Sequence, residues 1–375
     1  MNTKSICRSH TKEAIRVLSL DGGGMRGIYT ATYLNGLLNH FAKRSGQNDL
    51  DFGRGFNLIC GTSTGAIVGC ALAVGYPLRK VVDMYQEKGP QIFPHRITGK
   101  RSLVCRMLYG RRIVRAGDRA LRAALTEVFG QTTIANVFNK RGISLSIPTV
   151  DMSNYQGWVF KRTPTSGKRD DNYTLVDVCM ASSAAPVYRS LAMLNDPNSD
   201  MNAKKVFADG GLWANNPVMV ALTESLSFAQ NDQSIEIFSI GSCPSPKGEY
   251  LRGEKVHKSL MNWQLGAGVA KLAISAQEDV HHHMARLLAK EIADLGKDVK
   301  IIRFPHKNVP KSMFPFLSMD DTRPEALNRL IEQANSDVDL TLSMCDDSQN
   351  EEGQMIKTLL DSLEPTDPAK TLCAT

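Results

Sequence analysis

The chain has 375 residues, 42% of them hydrophobic and 22% charged. That globular composition excludes a disordered or fibrous protein and leaves room for one large domain or two smaller ones. The formal net charge of +7 arises from 45 Lys and Arg against 38 Asp and Glu, and it is local. Nine basic residues (Arg96, Lys100, Arg101, Arg106, Arg111, Arg112, Arg115, Arg119 and Arg122) share one segment with a single acid, Asp118; subtracting them leaves 36 basic and 37 acidic residues. A near-neutral body therefore carries one basic patch, the main source of long-range attraction for anions.

The eight cysteines (Cys7, Cys60, Cys70, Cys105, Cys179, Cys243, Cys345 and Cys373) include no C-x-x-C pair, and several lie in apolar runs. Reduced thiols of a cytoplasmic protein fit better than a disulfide framework or a zinc site. The first sixteen residues are polar and charged, without the apolar core of a signal peptide. The uncharged stretch from Gly55 to Leu78 is long enough to span a bilayer. Its glycines, threonines and terminal Gly-Tyr-Pro read better as a buried strand, a tight turn and a buried helix.

In chain order, Ile15 to Leu20 is a β-rich apolar run that ends on Asp21-Gly-Gly-Gly, and helical periodicity follows from Ile28 to Phe41. Phe56 to Cys60 reads as a second strand, Ala66 to Val74 as a helix of small apolar residues, and Leu78 to Phe93 as another helix. The basic segment, interrupted by Gly99 and Gly110, is expected at the surface and partly as a loop. Gly117 to Phe129 is helical. Ile143 to Val150 and Trp158 to Arg162 are strands around a hairpin-like Asn154-Tyr-Gln-Gly157. Thr174 to Ala184 is a helix stopped by Pro186, Lys205 to Ala208 a short strand, Pro217 to Phe228 a helix and Ile235 to Ile240 a buried strand. Ala267 to Leu295 has the spacing of a long amphipathic helix, with Val269, Leu272, Ala276, Val280, Met284, Leu287, Leu288 and Ile292 on its apolar face. Lys300 to Phe304 is a late strand and Pro324 to Ala334 a helix begun by proline. Strands alternating with helices predict a largely parallel sheet covered on both faces. Residues 1–345 form one domain, with core motifs in 15–240 and a helical and strand completion in 241–345; 346–375 is expected to be a polar tail.

Gly61-Thr-Ser-Thr-Gly65 fits G-x-S-x-G between a predicted strand and a predicted helix. A sharp strand-to-helix turn strains the serine backbone, forces small residues two positions to either side and lifts the Ser63 hydroxyl above the sheet at a helix N-terminus. Asp21-Gly-Gly-Gly-Met-Arg-Gly27 occupies a second such junction. Gly22, Gly24 and Gly27 also fit a dinucleotide fingerprint, but the acid expected after the second strand is absent and the serine turn stands in its place. An oxyanion hole is the better reading. Asp209-Gly-Gly211 follows a strand and precedes Asn215-Asn-Pro217, so Asp209 can supply the base that a serine nucleophile needs. His257, His281, His282, His283 and His306 follow the acid as a Ser-His-Asp hydrolase requires, yet none lies in a glycine-bounded loop at a strand end. The three consecutive histidines diverge around a helix and cannot converge on one metal or one serine.

Taken together, Leu18-Ser-Leu-Asp-Gly-Gly-Gly-Met-Arg-Gly-Ile28, Gly61-Thr-Ser-Thr-Gly65, Asp209-Gly-Gly211 and Ala181-Ser-Ser-Ala-Ala-Pro186 resemble, in order and rough spacing, the patatin-like phospholipases. The resemblance covers about Ile15 to Ile240. It implies a three-layer α/β/α domain that hydrolyses lipid acyl esters with a serine–aspartate pair and no histidine. By resemblance Ser63 is the nucleophile, Asp209 its general base, and Gly22, Gly23 and Gly24 the oxyanion donors. Gly27, Gly61, Gly65, Gly210 and Gly211 shape those turns, while Arg26 either steadies the glycine loop or contacts anionic head groups. No metal or other cofactor is required for this chemistry.

The compact layout is also similar to bacterial members of the family that cyclic dinucleotides switch on during antiphage defence, which implies a cyclic dinucleotide as activator. The basic segment, with Arg101, Arg106, Arg111, Arg112 and Arg115, is a solvated insertion, a surface for anionic head groups or a site for a phosphorylated effector. The implied partners are membrane phospholipids met transiently at the inner membrane surface, a cyclic dinucleotide and a further copy of the chain, with no nucleic-acid polymer.

Overall fold

Side chains alternating along each strand give the sheet two buried faces. Ile15 and Val17 of β1 (Ile15–Leu20) pack with Leu58, Cys60, Ile235 and Ile237 into one apolar cluster, whereas Leu18 and Leu20 join Ile59, Phe238 and Ile240 in another. The computed structural model describes residues 13–94, 100–199, 203–243, 251–259, 263, 267–305 and 309–372. After β1 come α1 (Gly27–Arg44), β2 (Leu58–Gly61), α2 (Thr64–Val74), α3 (Leu78–Ile92), α4 (Lys100–Phe129), α5 (Ile134–Arg141), β3 (Ser144–Asp151) and β4 (Gln156–Arg162). The chain continues through α6 (Leu175–Ser182), β5 (Ala192–Asn195), β6 (Lys204–Asp209), α7 (Gly211–Ala214), α8 (Val218–Phe228), β7 (Ile235–Ile240), α9 (Ala267–Asp294), β8 (Val299–Phe304), α10 (Pro324–Asp346) and α11 (Glu351–Asp361). Helices α8 and α9 cover the first face, and α1, α2, α3 and α10 the second. This is the expected α/β/α arrangement.

The strand order is β5-β6-β3-β2-β1-β7-β8, with β4 on the other edge of β3. Strands β3, β2, β1, β7 and β8 are mutually parallel, and β4, β5 and β6 are antiparallel additions. The pairing of β3 positions the site. Because β4 occupies one edge of β3 from Leu145 to Asp151, β2 and β6 must share the other. Strand β2 runs parallel beside Ser144 to Ser146, and β6 runs antiparallel beside Thr149 to Asp151. Their C-terminal ends therefore point at each other, and the turns after Gly61 and after Asp209 meet.

Three expectations change in the structure. From Lys100 onward the basic segment is not a loop but the 30-residue helix α4, while Arg96 and Gly99 lie outside the described residues. Gly117 sits where an added Cβ would come within 2.3 Å of the Ile92 carbonyl oxygen, and Leu121, Leu125, Val128 and Phe129 are buried. Packing outweighs the cost of glycine in the helix. On α9 Ile292 packs against the core, but most of the large apolar side chains do not face it. Val269, Leu272, Val280, Met284, Leu287 and Leu288 are 40–56% exposed, while Ala285 and Ala289 are buried. The small residues let α9 approach α8 and β8 closely, which turns the bulky stripe outward.

Residues 346–375 are not simply a polar tail. Asn350 caps α11 by accepting from the Gly353 amide at 2.8 Å, and Ile356, Leu359 and Leu360 complete the main core. Three apolar residues among charged neighbours leave too faint a period to read. The stretch from Gly55 to Leu78 forms β2, the turn and α2, as expected, and among the described residues no helix is long and apolar enough to cross a membrane. Leu359→Ala is expected to destabilise the protein by about 2–5 kcal/mol, read as a lower urea midpoint at unchanged slope; a solvated tail would show no change.

Candidate active site

Ser63 stands between β2 and α2 with φ 55° and ψ −117°, a left-handed conformation that a side-chain-bearing residue adopts only when its surroundings impose it. The motif glycines are what allow this. A Cβ at Gly65 would lie 2.3 Å from the Leu20 carbonyl oxygen, and one at Gly61 would lie 2.3 Å from that of Gly65. Thr62 ties the turn to its neighbours: its amide donates to Leu20 O at 3.1 Å and its hydroxyl to Ala214 O at 2.6 Å. The Ser63 amide donates to Ser182 Oγ at 2.9 Å, and the Ser182 hydroxyl donates onward to Pro148 O at 2.7 Å.

From the opposing turn, Asp209 brings its carboxylate to the serine. The Ser63 hydroxyl donates to Asp209 Oδ2 at 2.8 Å, and the Gly211 amide donates to Oδ1 at 2.6 Å. A Cβ at Gly210 would lie 2.2 Å from Pro148 O, and one at Gly211 would lie 3.0 Å from Asp209 Oδ1. Asp209 N donates to Ala184 O at 3.0 Å and Gly210 N to Ser182 O at 3.2 Å. The Ala181–Pro186 stretch thus holds both partners, Ser63 through a side chain and Asp209 through the backbone. Both are buried. Burial pushes the Asp209 carboxyl up to about 6, opposed by the Gly211 amide, the Ser63 hydroxyl and the charge of Arg189. Arg189 is itself buried and paired with Asp118 of α4 at 2.8 Å.

The glycine loop after β1 lies against this pair: a Cβ at Gly22 would come within 3.4 Å of the Ser63 Cβ. One expected donor is already engaged, because the Gly22 amide donates to Asn215 O at 2.9 Å. Gly22 thereby anchors the loop, while the amides of Gly23 and Gly24 donate to no acceptor among the described residues. Gly24 takes φ +59, with Met319 O where a Cβ would point. On its far side the loop is braced by the Ser242 hydroxyl, which donates to Gly22 O at 2.6 Å, and by Arg26, which is buried and donates to the carbonyls of Gly23 and Cys243 at 3.4 and 3.5 Å. Gly27 abuts the Thr64 and Tyr85 hydroxyls. Asp21 turns away from the serine to pair with Arg303.

The remaining candidates lie elsewhere. His281 meets Asn216 O at 3.3 Å, His282 is half-buried, and His257 and His283 are exposed; no described histidine bonds Ser63 or Asp209, and His306 lies outside the described residues. Arg111, Arg112 and Arg115 are exposed on one face of α4 together with Arg119 and Arg122, and the side chains of Arg101 and Arg106 lie outside those described. Among the described residues no cluster of His, Cys, Asp or Glu could hold a metal ion. Ser182, Asn215, Ser242 and Arg189 carried no signal of their own in the sequence beyond the Ala181–Pro186 and Asn215–Pro217 stretches around the first two.

A strained serine facing a carboxylate and a glycine cradle is an arrangement suited to acyl transfer. Residues 18–222 match the family described as patatin-like phospholipase; the chain belongs to that family and is a lipid acyl hydrolase. It is similar to the "cGAMP-activated phospholipase" of Vibrio cholerae, 28% identical over 86% of this chain and 89% of that one. It is also similar to proteins of the same name from Pseudomonas aeruginosa, 33% identical over 76% and 81% of the two chains, and from Escherichia coli, 29% identical over 85% and 87%.

Ser182→Ala strands the buried Ser63 amide without its acceptor. The expected cost is about 1–3 kcal/mol of stability, measured by urea denaturation, and a fall in kcat that exceeds any change in KM, measured on a soluble ester.

Proposed function

We propose that Ser63 and Asp209 form the catalytic dyad of a phospholipase that a cyclic dinucleotide activates. The observation that carries the dyad is the 2.8 Å bond from the Ser63 hydroxyl to Asp209 Oδ2. As Oγ attacks an acyl ester carbonyl, Asp209 takes the hydroxyl proton, and negative charge builds on the carbonyl oxygen. The amides of Gly23 and Gly24 are the donors for that oxyanion. Asp209 then passes the proton to the departing alkoxide, which leaves as the lysolipid. A water deprotonated by Asp209 releases the fatty acid from the acyl-serine.

Histidine is dispensable because burial raises the Asp209 carboxyl to about 6, close to the value of about 6.5 at which an imidazole works. Val187 and Leu212, 64% and 46% exposed, flank the two turns with apolar surface suited to acyl chains. The cationic face of α4 supports attraction to anionic head groups at the inner membrane surface. The names of the relatives support activation by cGAMP, which would place the activity in the antiphage response that the resemblance implies.

Ser63→Ala is expected to lower phospholipid hydrolysis by about 10⁴-fold or more, with the fold intact by circular dichroism; retained turnover would overturn the dyad. The base must be ionised, so kcat should fall roughly tenfold per pH unit below about 6. Alanine at His257 or His283 should leave that acid limb in place, which a pH–rate profile of each variant checks.

A further inference from the structure

A second concavity lies on the other side of the glycine loop, at the C-terminal ends of β1, β7 and β8. It has a volume of about 210 Å³, and its lining includes Arg26, Arg286, Arg303, Asp21, Glu278, Glu352, His282 and Ser242. Ser63 and Asp209 do not line it, but Asp21 does, and Gly22, the next residue, meets the Ser63 Cβ. Crevices at the carboxyl ends of parallel strands are where α/β sheets receive ligands.

Three guanidinium and three carboxyl groups, Glu352 among them, line it, so an anion is received by the guanidinium that no carboxylate pairs. Asp21 and Arg303 pair with each other and cancel in net charge. The Glu278 carboxyl is hydrogen-bonded to the Asn215 amide group, and burial pushes it up to about 7. Arg26 donates to the backbone carbonyls of Gly23 and Cys243. Arg286, on an exposed stretch of α9, makes no hydrogen bond or ion pair among the described residues. Guanidinium groups converging on a partly desolvated hollow match the paired acceptor oxygens of a phosphate. The convex face of α4 offers charge but no such enclosure. The volume is below the 300–1,000 Å³ usual for a whole small molecule, so it suits a phosphate and part of its attached group.

The same lining holds the oxyanion loop. Ser242 donates to Gly22 O, Arg26 to Gly23 O, and Asn215, bonded to Glu278, reaches Gly22 O at 3.4 Å and receives the Gly22 amide. We propose that this cavity is a phosphodiester subsite whose occupation sets the position of the Gly22–Gly24 loop beside Ser63. The regulatory part rests on the activation reading above; the anion site itself does not. The phosphodiester belongs either to a cyclic dinucleotide or to the head group of the phospholipid under attack.

The test compares the wild type with Arg286→Glu and the charge-conserving Arg286→Lys, each first shown by thermal melting to be folded. Three measurements are made: cGAMP binding by equilibrium dialysis, hydrolysis of monomeric dihexanoylphosphatidylcholine, and hydrolysis of the phosphate-free p-nitrophenyl butyrate. Loss of one charge-assisted pair corresponds to a weakening of roughly 10- to 100-fold. An increase of that size in the cGAMP Kd for Arg286→Glu, with Arg286→Lys between the two, assigns the site to the cyclic dinucleotide. If the wild type neither binds nor responds to cGAMP, the activation reading fails. The subsite still stands if Arg286→Glu raises KM for the short-chain phospholipid at least tenfold and leaves KM for the neutral ester alone. Changes below about twofold in both the cGAMP and phospholipid measurements overturn the proposal.

Discussion

The whole site depends on two strand-to-helix turns lying closer together than side chains would permit. At the ends of the adjacent parallel strands β1 and β2, Gly65 leaves no space for a Cβ beside the carbonyl oxygens of Leu20 and Asp21, at 2.3 and 2.7 Å. Gly22 meets the Ser63 Cβ from the other direction. A methyl group at Gly65 would push α2 outward and carry Ser63 away from the glycine loop. The helix start, the hydroxyl and the bare amides occupy one small volume because nothing larger than hydrogen separates their backbones.

Electrostatics completes what sterics begins. Taking a carboxylate out of water is costly, and Asp209 is sheltered by few compensating groups: one backbone amide, one hydroxyl and the nearby charge of Arg189. The compensation is incomplete, which makes the carboxyl more basic than an exposed aspartate. An aspartate in a direct ion pair with an arginine would be a weaker base than one left partly uncompensated. Arg189 helps without neutralising because its guanidinium is already paired with Asp118.

Local elements were legible where a strong period or a turn signal marked them. β1 and β7 were read to the residue, and Ser63, Asp209 and the glycine loop were singled out from motif and context. Their meeting was not legible, because it depends on β2 and β6 sharing one edge of β3, a pairing between segments far apart in the chain. The braces Ser182, Asn215 and Ser242 are single small polar residues whose work is set by what stands opposite them. The bulky stripe on α9 was taken for its inner face because periodicity reveals that a helix has an apolar side, not which way it turns. Here alanine proved the better packing residue. Helix α4 was expected to start only at Gly117 because Gly110 weakens the helical signal before it, yet Gly110 lies inside the helix with open space around it.

The backbone of Ser63, at φ 55°, holds about 1–3 kcal/mol of conformational strain, all of which is released when the chain unfolds. On the proposed mechanism, the nucleophile is therefore also a standing drain on the durability of the chain. Selection for heat tolerance alone would favour a glycine at that position, which would rest easily in the same turn and do nothing. Robustness and turnover are opposed at a single residue, and the surrounding bonds exist to let the second prevail.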